Sequence, residues 1–111
     1  MRGINWVTLV GNLGESPEIK SLSNNVKVAR CNIATTDIFR TKTGETSADT
    51  QWHTVLFWSA LAELAAAYLR KGQLVYVEGR IRYRTYQDKS EIRRYVTEIH
   101  ADSLVMLNKP A

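Results

Sequence analysis

The sequence predicts an all-β fold, a five-stranded Greek-key barrel with one α-helix between the third and fourth strands. Segments rich in β-branched and aromatic residues recur along the chain, separated by turns of glycine, asparagine and serine. One mid-chain segment has the apolar period of a helix. Gly79 interrupts the longest predicted strand, where a β-bulge would let a sheet curve. A β-sandwich is the main alternative, but a single mid-chain helix fits it less well.

The strands alternate in side-chain character, as expected where one face lies in a core. Within residues 27–37, Ala29, Cys31 and Ile33 share one face of the predicted strand. Residues 40–50 are polar, contain a glycine and show no period, so we expect a flexible loop there. The remaining main strands are predicted at residues 4–10, 51–58, 74–86 and 92–100, with short extended pieces at 18–21 and 101–107.

The helix is predicted over residues 59–69. Ser59 stands at the expected N-cap and Gly72 at the expected C′ position, while Arg70 and Lys71 suit the negative end of the helix dipole. Its apolar stripe consists of Leu61, Leu64, Ala65, Tyr68 and Leu69. Strands arranged around one such helix match the five-stranded barrel of the oligonucleotide-binding fold.

Composition limits the classes of protein to which the chain can belong. At 111 residues it is expected to form one domain, 1–111, with a self-sufficient core. No apolar run is long enough to cross a bilayer. Cys31 is the only cysteine, which excludes an intrachain disulfide and fits a reducing compartment. The net charge is +4, and from Arg70 onward there are nine basic residues against five acidic ones, a weak indication of nucleic-acid binding.

Two tryptophans share one face of the strand at 51–58. Trp52 and Trp58 lie on that face, and Val55 and Phe57 lie on the other. Such a pair in an isolated strand is more often a core pair. Because Val55 and Phe57 already supply a core face, the tryptophan face is free to be an exposed stacking surface.

The strand at 74–86 shows the same division. Arg80, Arg82 and Arg84 share a face with Tyr86, and no acid lies among them. The opposite face is predicted to fill the barrel with Val75, Val77, Ile81 and Tyr83. An arginine row is most often a solvated face, but here aromatic and basic residues interleave on two separate segments.

Phe39 and Arg40, followed by Lys42, add another ring and two cations beside the polar loop. Single-stranded nucleic acid is bound by this combination, since cations follow the phosphates and unpaired bases stack on rings. Each signal is weak alone, and together they favour a single-strand binding surface.

Over essentially its whole length the sequence resembles the bacterial single-stranded DNA-binding protein family. The matching stretches are INWVTLVGNLGESPE, QWHTVLFW and LAELAAAYLRKGQLVYVEGRIRYRTY. The resemblance implies an oligonucleotide-binding fold, assembly as a homotetramer, and a cytoplasmic, nucleoid-associated location in a bacterium. It also implies protection of single-stranded DNA, with little sequence preference, during replication, recombination and repair.

The resemblance implies roles for individual residues. His53 resembles a subunit-interface histidine. Well-known members have tryptophan at the places of Phe39 and Tyr86 and a cation at those of Thr54, Ala60 and Thr85. The implied stacking residues are Phe39, Trp52, Trp58 and Tyr86. The resemblance and the side-chain pattern of the strands together predict these phosphate contacts: Arg40, Lys42, Arg70, Lys71, Arg80, Arg82 and Arg84.

The C-terminus departs from the family pattern. Members usually continue into a flexible linker and an acidic tail that recruits repair enzymes, whereas this sequence ends in Leu107-Asn108-Lys109-Pro110-Ala111. We therefore expect a tail-less member or a trimmed sequence, and no recruitment through a tail. A pull-down with a tail-binding exonuclease tests this expectation.

Other functions stay open at this level. No catalytic motif is present, and Cys31 alternates with core residues, so no enzyme, cofactor or metal site is predicted. An RNA-binding barrel or a primosomal replication-restart accessory would keep the same fold. A purely structural oligomer would bury Trp52 and Trp58.

Overall fold

The computed structural model describes residues 2–108, so Lys109–Ala111, on which the expectation about the tail partly depends, lie outside the described residues. The described chain forms six strands and one α-helix. The elements are β1 (Val7–Leu13), β2 (Glu18–Ser21), β3 (Lys27–Arg40), β4 (Thr46–Trp58), α1 (Ala60–Tyr68), β5 (Leu74–Gln87) and β6 (Arg93–Met106), with a 3-10 turn at Ser23–Asn25.

The strands close into a barrel. Five of them follow the order β1, β5, β6, β4 and β3, and the short β2 pairs with the first four residues of β3. The barrel closes where Asn12 and Leu13 of β1 pair with β3. All pairings are antiparallel except β4 with β6, which are parallel at Val55 and Leu56. The predicted all-β barrel with one helix is therefore confirmed, the helix lying between β4 and β5 once β2 is counted.

The core lies inside the barrel, under the helix. Ala29, Cys31 and Ile33 are buried on β3, as the alternation predicts, and Val55 and Phe57 are buried on β4. α1 packs against β3 and β4 and buries its small apolar face there. This burial of apolar area is the main force that holds the barrel together.

The prediction of a loop at residues 40–50 is wrong for most of that segment. β3 runs to Arg40 and β4 begins at Thr46, so a two-stranded hairpin projects where a loop was expected. Both faces of this hairpin are largely exposed, and no burial pattern therefore marks it in the sequence. Threonines favour extended backbone, and Thr36 and Thr50 share a cross-strand hydrogen bond of 3.0 Å.

Of the two predicted helix caps, the position of one is confirmed and the other is wrong. Ser59 is the N-cap residue, but its side chain makes no capping bond; its backbone carbonyl accepts the N–H of Glu63. Leu69 already leaves helical geometry, so Gly72 falls beyond the C′ position. Gly72 instead has a φ of 85° in the turn that leads to β5.

Gly79 lies at a register shift between β5 and β6, which confirms the predicted bulge. The prediction that Tyr83 fills the barrel is wrong, because its side chain is 75% exposed. β1 pairs with β5 only as far as Gly79. Beyond it, β6 is the one strand among residues 2–108 that pairs with β5, and the two strands project as a hairpin with two open faces.

Candidate nucleic-acid interface

A groove runs across the outer surface of the barrel between β2–β3 on one side and β5–β6 on the other. It consists of two adjoining pockets of about 380 and 460 Å³, which share Lys20, Arg30, Arg84 and Glu98. The remaining lining residues are Glu18, Leu22, Val28, Thr54, Leu56, Trp58, Tyr86, Tyr95, Val96, Thr97 and His100. We call this surface the groove.

Trp58 forms one end of the groove. It is half-buried and belongs to the tryptophan face of β4, together with Leu56. Its indole Nε1 donates a hydrogen bond of 3.2 Å to Nδ1 of His100 on β6. The two rings are tilted by 33° with centroids 5.8 Å apart, so Trp58 has a fixed orientation.

Trp52 continues the same face of β4 but does not line the groove. Its side chain is 61% exposed. One edge of its ring lies over Gly14, where an added Cβ would come within 2.6 Å of the indole. Gly14 therefore leaves the space that the ring occupies, and the other side of the ring stays open to solvent.

Tyr86 lies at the opposite end of the groove from Trp58, next to an arginine. Its side chain is 46% exposed. The guanidinium of Arg84 lies 5.8 Å from the Tyr86 ring centroid, a cation–π distance. The position of the Tyr86 ring thus depends on Arg84.

Arg84 is not a free cation, contrary to what the acid-free arginine row indicates. Its Nε and Nη2 donate two hydrogen bonds of 3.0 Å to Glu98, whose side chain is only 2% exposed. Burial tends to raise the pKa of Glu98, but hydrogen bonds from Arg84 and His100 outweigh it and lower that pKa. Glu98 is therefore a buried, ionised carboxylate at the bottom of the groove.

Phe39, Arg40 and Lys42 lie on the β3–β4 hairpin and do not line the groove. Phe39 is 49% exposed, and by register it shares a face with His53 rather than with Trp52. Arg40 and Lys42 are exposed, and neither forms an ion pair with any residue in 2–108. The hairpin thus carries a ring and two cations separate from the groove.

The other predicted cations have different surroundings. Arg70 donates to the carbonyl oxygens of Leu69 (2.7 Å) and Ala66 (3.3 Å), so it caps the C-terminal end of α1. Lys71 lies 3.9 Å from Glu15. Arg80 lies 3.6 Å from Asp102.

Arg82 is exposed between Arg80 and Arg84 on the same face of β5, and it makes no ion pair within the described part of the chain. It is therefore the arginine of this row best placed to meet a phosphate.

His53 lies away from the groove. Its Nε2 is 2.8 Å from the hydroxyl of Thr35 on the neighbouring strand, and its side chain is half-buried.

Among the residues that line the groove, sequence reasoning missed these charged and aromatic ones in particular: Lys20, Arg30, Tyr95, Glu98 and His100. Arg30 could have been found, since it shares the outer face of β3 with Val28. His100 and Glu98 alternate with Ile99, which indicates their face but not their partners. The partners lie on other strands, and no spacing along β6 reveals them.

No catalytic arrangement emerges at the residues considered for one. Cys31 is buried, and burial raises the pKa of its thiol to about 12. Among residues 2–108, no group of three or more histidines, cysteines and carboxylates is placed to hold a metal ion. Within the same residues, no helix has the length and hydropathy needed to span a membrane.

Comparisons with known proteins agree with this geometry. Residues 4–107 match the model of the single-strand binding protein family. A single-stranded DNA-binding protein of Xylella fastidiosa is 46% identical over 106 residues, covering 96% of this chain and 65% of the relative. The chain thus spans about two-thirds of that relative's length.

Two solved structures have the same fold. A Plasmodium falciparum SSB in complex with ssDNA matches with a TM-score of 0.85 and 31% identity over 97% of this chain and 98% of that one. A deletion mutant of the single-stranded DNA binding protein from Thermus aquaticus matches with a TM-score of 0.82 and 29% identity, over 96% and 52%. The family consists of non-enzymatic DNA-binding proteins. This chain belongs to the single-strand binding protein family.

Proposed function

We propose that this chain binds single-stranded DNA with little sequence preference and protects it during replication, recombination and repair in the bacterial cytoplasm. The observation that carries the proposal is the groove, which has an aromatic ring near each end and cationic side chains between them. Bases stack on Trp58 and Tyr86, and the strand continues over Trp52 and around the edge of the β3–β4 hairpin to Phe39 on its opposite face.

The physical basis is stacking combined with counterion release. Base–aromatic stacking contributes about 1–3 kcal/mol per base and tolerates any sequence, since every base has a π-face. Each phosphate that a cation neutralises releases condensed counterions, so affinity falls as salt rises. Duplex DNA keeps its bases stacked inside the helix, and it is therefore expected to bind poorly.

The cations divide into two groups by their surroundings. Arg82, Arg40 and Lys42 are exposed and unpaired within the described residues, and they are proposed to meet phosphates directly. Arg30 joins them from the wall of the groove, whereas Lys20, also in that wall, lies 3.7 Å from Glu18 and belongs with the paired cations.

The second group already has partners. Arg84 is held by Glu98, Arg80 and Lys71 lie beside single carboxylates, and Arg70 caps the helix. A phosphate contact from any of these has to share or displace that partner. Their contribution is accordingly proposed to be smaller than that of the first group.

The chain is further proposed to assemble as a homotetramer, with His53 at a subunit interface. His53 supports this because it is half-buried and already oriented by the hydroxyl of Thr35, so it would lose little side-chain freedom at an interface.

The test is tryptophan fluorescence during titration with poly(dT) at low and high salt. Saturable quenching that weakens with salt is expected, because bases stack on the indoles while phosphates displace counterions. Absence of both quenching and a gel mobility shift would overturn the proposal. Competition between poly(dT) and poly(U) is the companion experiment, and a clear preference for poly(U) would assign the groove to RNA instead.

A further inference from the structure

A chain of polar contacts links the rings at the two ends of the groove. Trp58 donates to Nδ1 of His100, and His100 Nε2 lies 3.4 Å from Oε1 of Glu98. Glu98 accepts two bonds from Arg84, and Arg84 lies against Tyr86. His100 is the member that touches both Trp58 and the buried carboxylate.

The contacts assign the ring proton of His100. Indole Nε1 is a donor only, so Nδ1 of His100 has to be the acceptor and carries no proton. The proton of the neutral ring is then on Nε2, which faces the carboxylate of Glu98. The buried carboxylate thus selects the tautomer that can receive the indole N–H.

The position of His100 makes this contact rigid. β6 runs parallel to β4 at this point, with His100 opposite Leu56, two residues before Trp58. The histidine side chain is 23% exposed, and its ring lies beside the indole of Trp58, with the ring centroids 5.8 Å apart. Trp58, by contrast, has one side open to the groove, so without His100 its ring would be free to reorient in solvent.

We propose that His100 is a positioning residue for DNA binding, which holds the Trp58 indole in the orientation that a base stacks on. The inference rests on the proposed function, since it requires that Trp58 carries a base. When DNA binds a ring whose orientation is already fixed, the protein loses less side-chain conformational entropy on association. Removal of the contact is therefore expected to weaken binding about 3- to 10-fold.

The test uses three substitutions that separate the two nitrogens. His100→Asn keeps an acceptor oxygen near the place of Nδ1, His100→Gln keeps an amide near that of Nε2, and His100→Leu keeps neither. Affinity for a dT oligonucleotide is expected to fall with Leu and Gln and to stay near wild type with Asn. Equal affinity of all three variants and the wild type would overturn the proposal.

A double-mutant cycle distinguishes positioning from a general effect on the fold. Trp58→Phe keeps a stacking ring but has no N–H to donate. In that background His100→Leu is expected to change the affinity less than twofold. An equally large loss with and without the indole N–H would show that His100 acts by another route.

A third experiment separates the hypothesis that bases stack on Trp58 from the hypothesis that His100 positions it. It uses the protein with Trp6→Phe and Trp52→Phe, in which Trp58 is the remaining indole. His100→Leu is expected to increase the rotational freedom of Trp58 in time-resolved anisotropy. If dT quenches Trp58 but His100→Leu alters neither anisotropy nor affinity, only the positioning role is wrong. If dT leaves Trp58 unquenched while His100 is intact, stacking on Trp58 fails first, and the positioning role fails with it.

Discussion

At the scale of single residues, Arg82 is the side chain whose charge is most available to DNA. Its neighbours on β5 face carboxylates, whereas Arg82 forms no ion pair with any of residues 2–108. Arg82→Ala is expected to make the log–log salt dependence of poly(dT) affinity shallower by about 0.7, the value for one phosphate on a single strand. Arg82→Lys keeps the charge and is the matched control; a slope equal in both variants would remove Arg82 from the phosphate contacts.

Glu98 couples the groove to pH. Its pKa is lowered in the folded protein, so it stabilises the fold above its unfolded pKa of about 4.3, and this contribution is lost as pH falls through the lower folded value. Glu98→Gln is expected to cost about 1–3 kcal/mol at neutral pH. Urea unfolding between pH 7 and pH 3 measures the contribution of Glu98 to the free energy of unfolding. As the pH falls, Glu98→Gln should lose less of that free energy than the wild type does, and also less than the exposed control variant, Glu45→Gln.

Cys31 provides a check on the core at the same scale. The thiolate is the reactive form, and burial raises the pKa of this thiol to about 12. The native protein is therefore expected not to react with a thiol-specific disulfide reagent at pH 8, and to react fully once unfolded in guanidinium. Labelling at the same rate in both states would mean that the β3 face is not packed as described.

These residues also show where sequence reasoning ends. Alternation along β3 predicts the burial of Cys31, because one strand carries all the information needed. Alternation along β5 predicts that Arg82 is exposed, but it does not predict that Arg84 is already paired with a carboxylate. The partner, Glu98, is 14 residues away on another strand, and the register that brings them together depends on the bulge at Gly79.

At the scale of elements, the bulge opposite Gly79 of β5, where β6 has one extra residue at Asp102, sets the course of the β5–β6 hairpin. A Cβ on Gly79 would overlap the carbonyl oxygen of His100 and lie 2.9 Å from the Cα of Ala101. Gly79→Ala is expected to destabilise the fold by about 1–3 kcal/mol, since backbone has to shift. Gly44→Asn is the control, because a Cβ there meets nothing within 4 Å and the only cost is that of the φ of 87°, which asparagine adopts more readily than most residues. Equal urea midpoints for the two variants would contradict a tight bulge.

The elements themselves could be predicted only where one face is buried. The pattern identifies β4 from 51 to 58, where Val55 and Phe57 enter the core, and fails for the part that starts at Thr46. That part pairs with the end of β3 in solvent. Because backbone hydrogen bonds require no particular side chains, they produce no pattern in the sequence. The same reason explains Tyr83, whose strand continues after its barrel neighbour β1 has ended.

At the scale of the whole molecule, one face of the barrel indicates assembly. Val10 on β1, Tyr76 on β5 and Val105 on β6 are directly opposite one another across three strands. Val10 and Val105 are about half exposed, and Ile4 and Trp6, just before β1, add further exposed apolar area. Residues 7–11 of β1 also have no partner strand on their second edge among residues 2–108. An apolar face beside an unpaired edge favours contact between subunits.

The proposed homotetramer can be tested on this face. Light scattering after size exclusion should give four times the chain mass of 12.6 kDa for the wild type. Val10→Glu is expected to lower that mass, because it places a charge in the apolar row, beside the unpaired edge of β1, without entering the core. Ile92→Glu, the same change at an exposed position of the β5–β6 hairpin, should leave the mass unaltered. A wild-type mass of one chain at micromolar concentrations would refute assembly, and loss of mass in both variants would place the interface elsewhere.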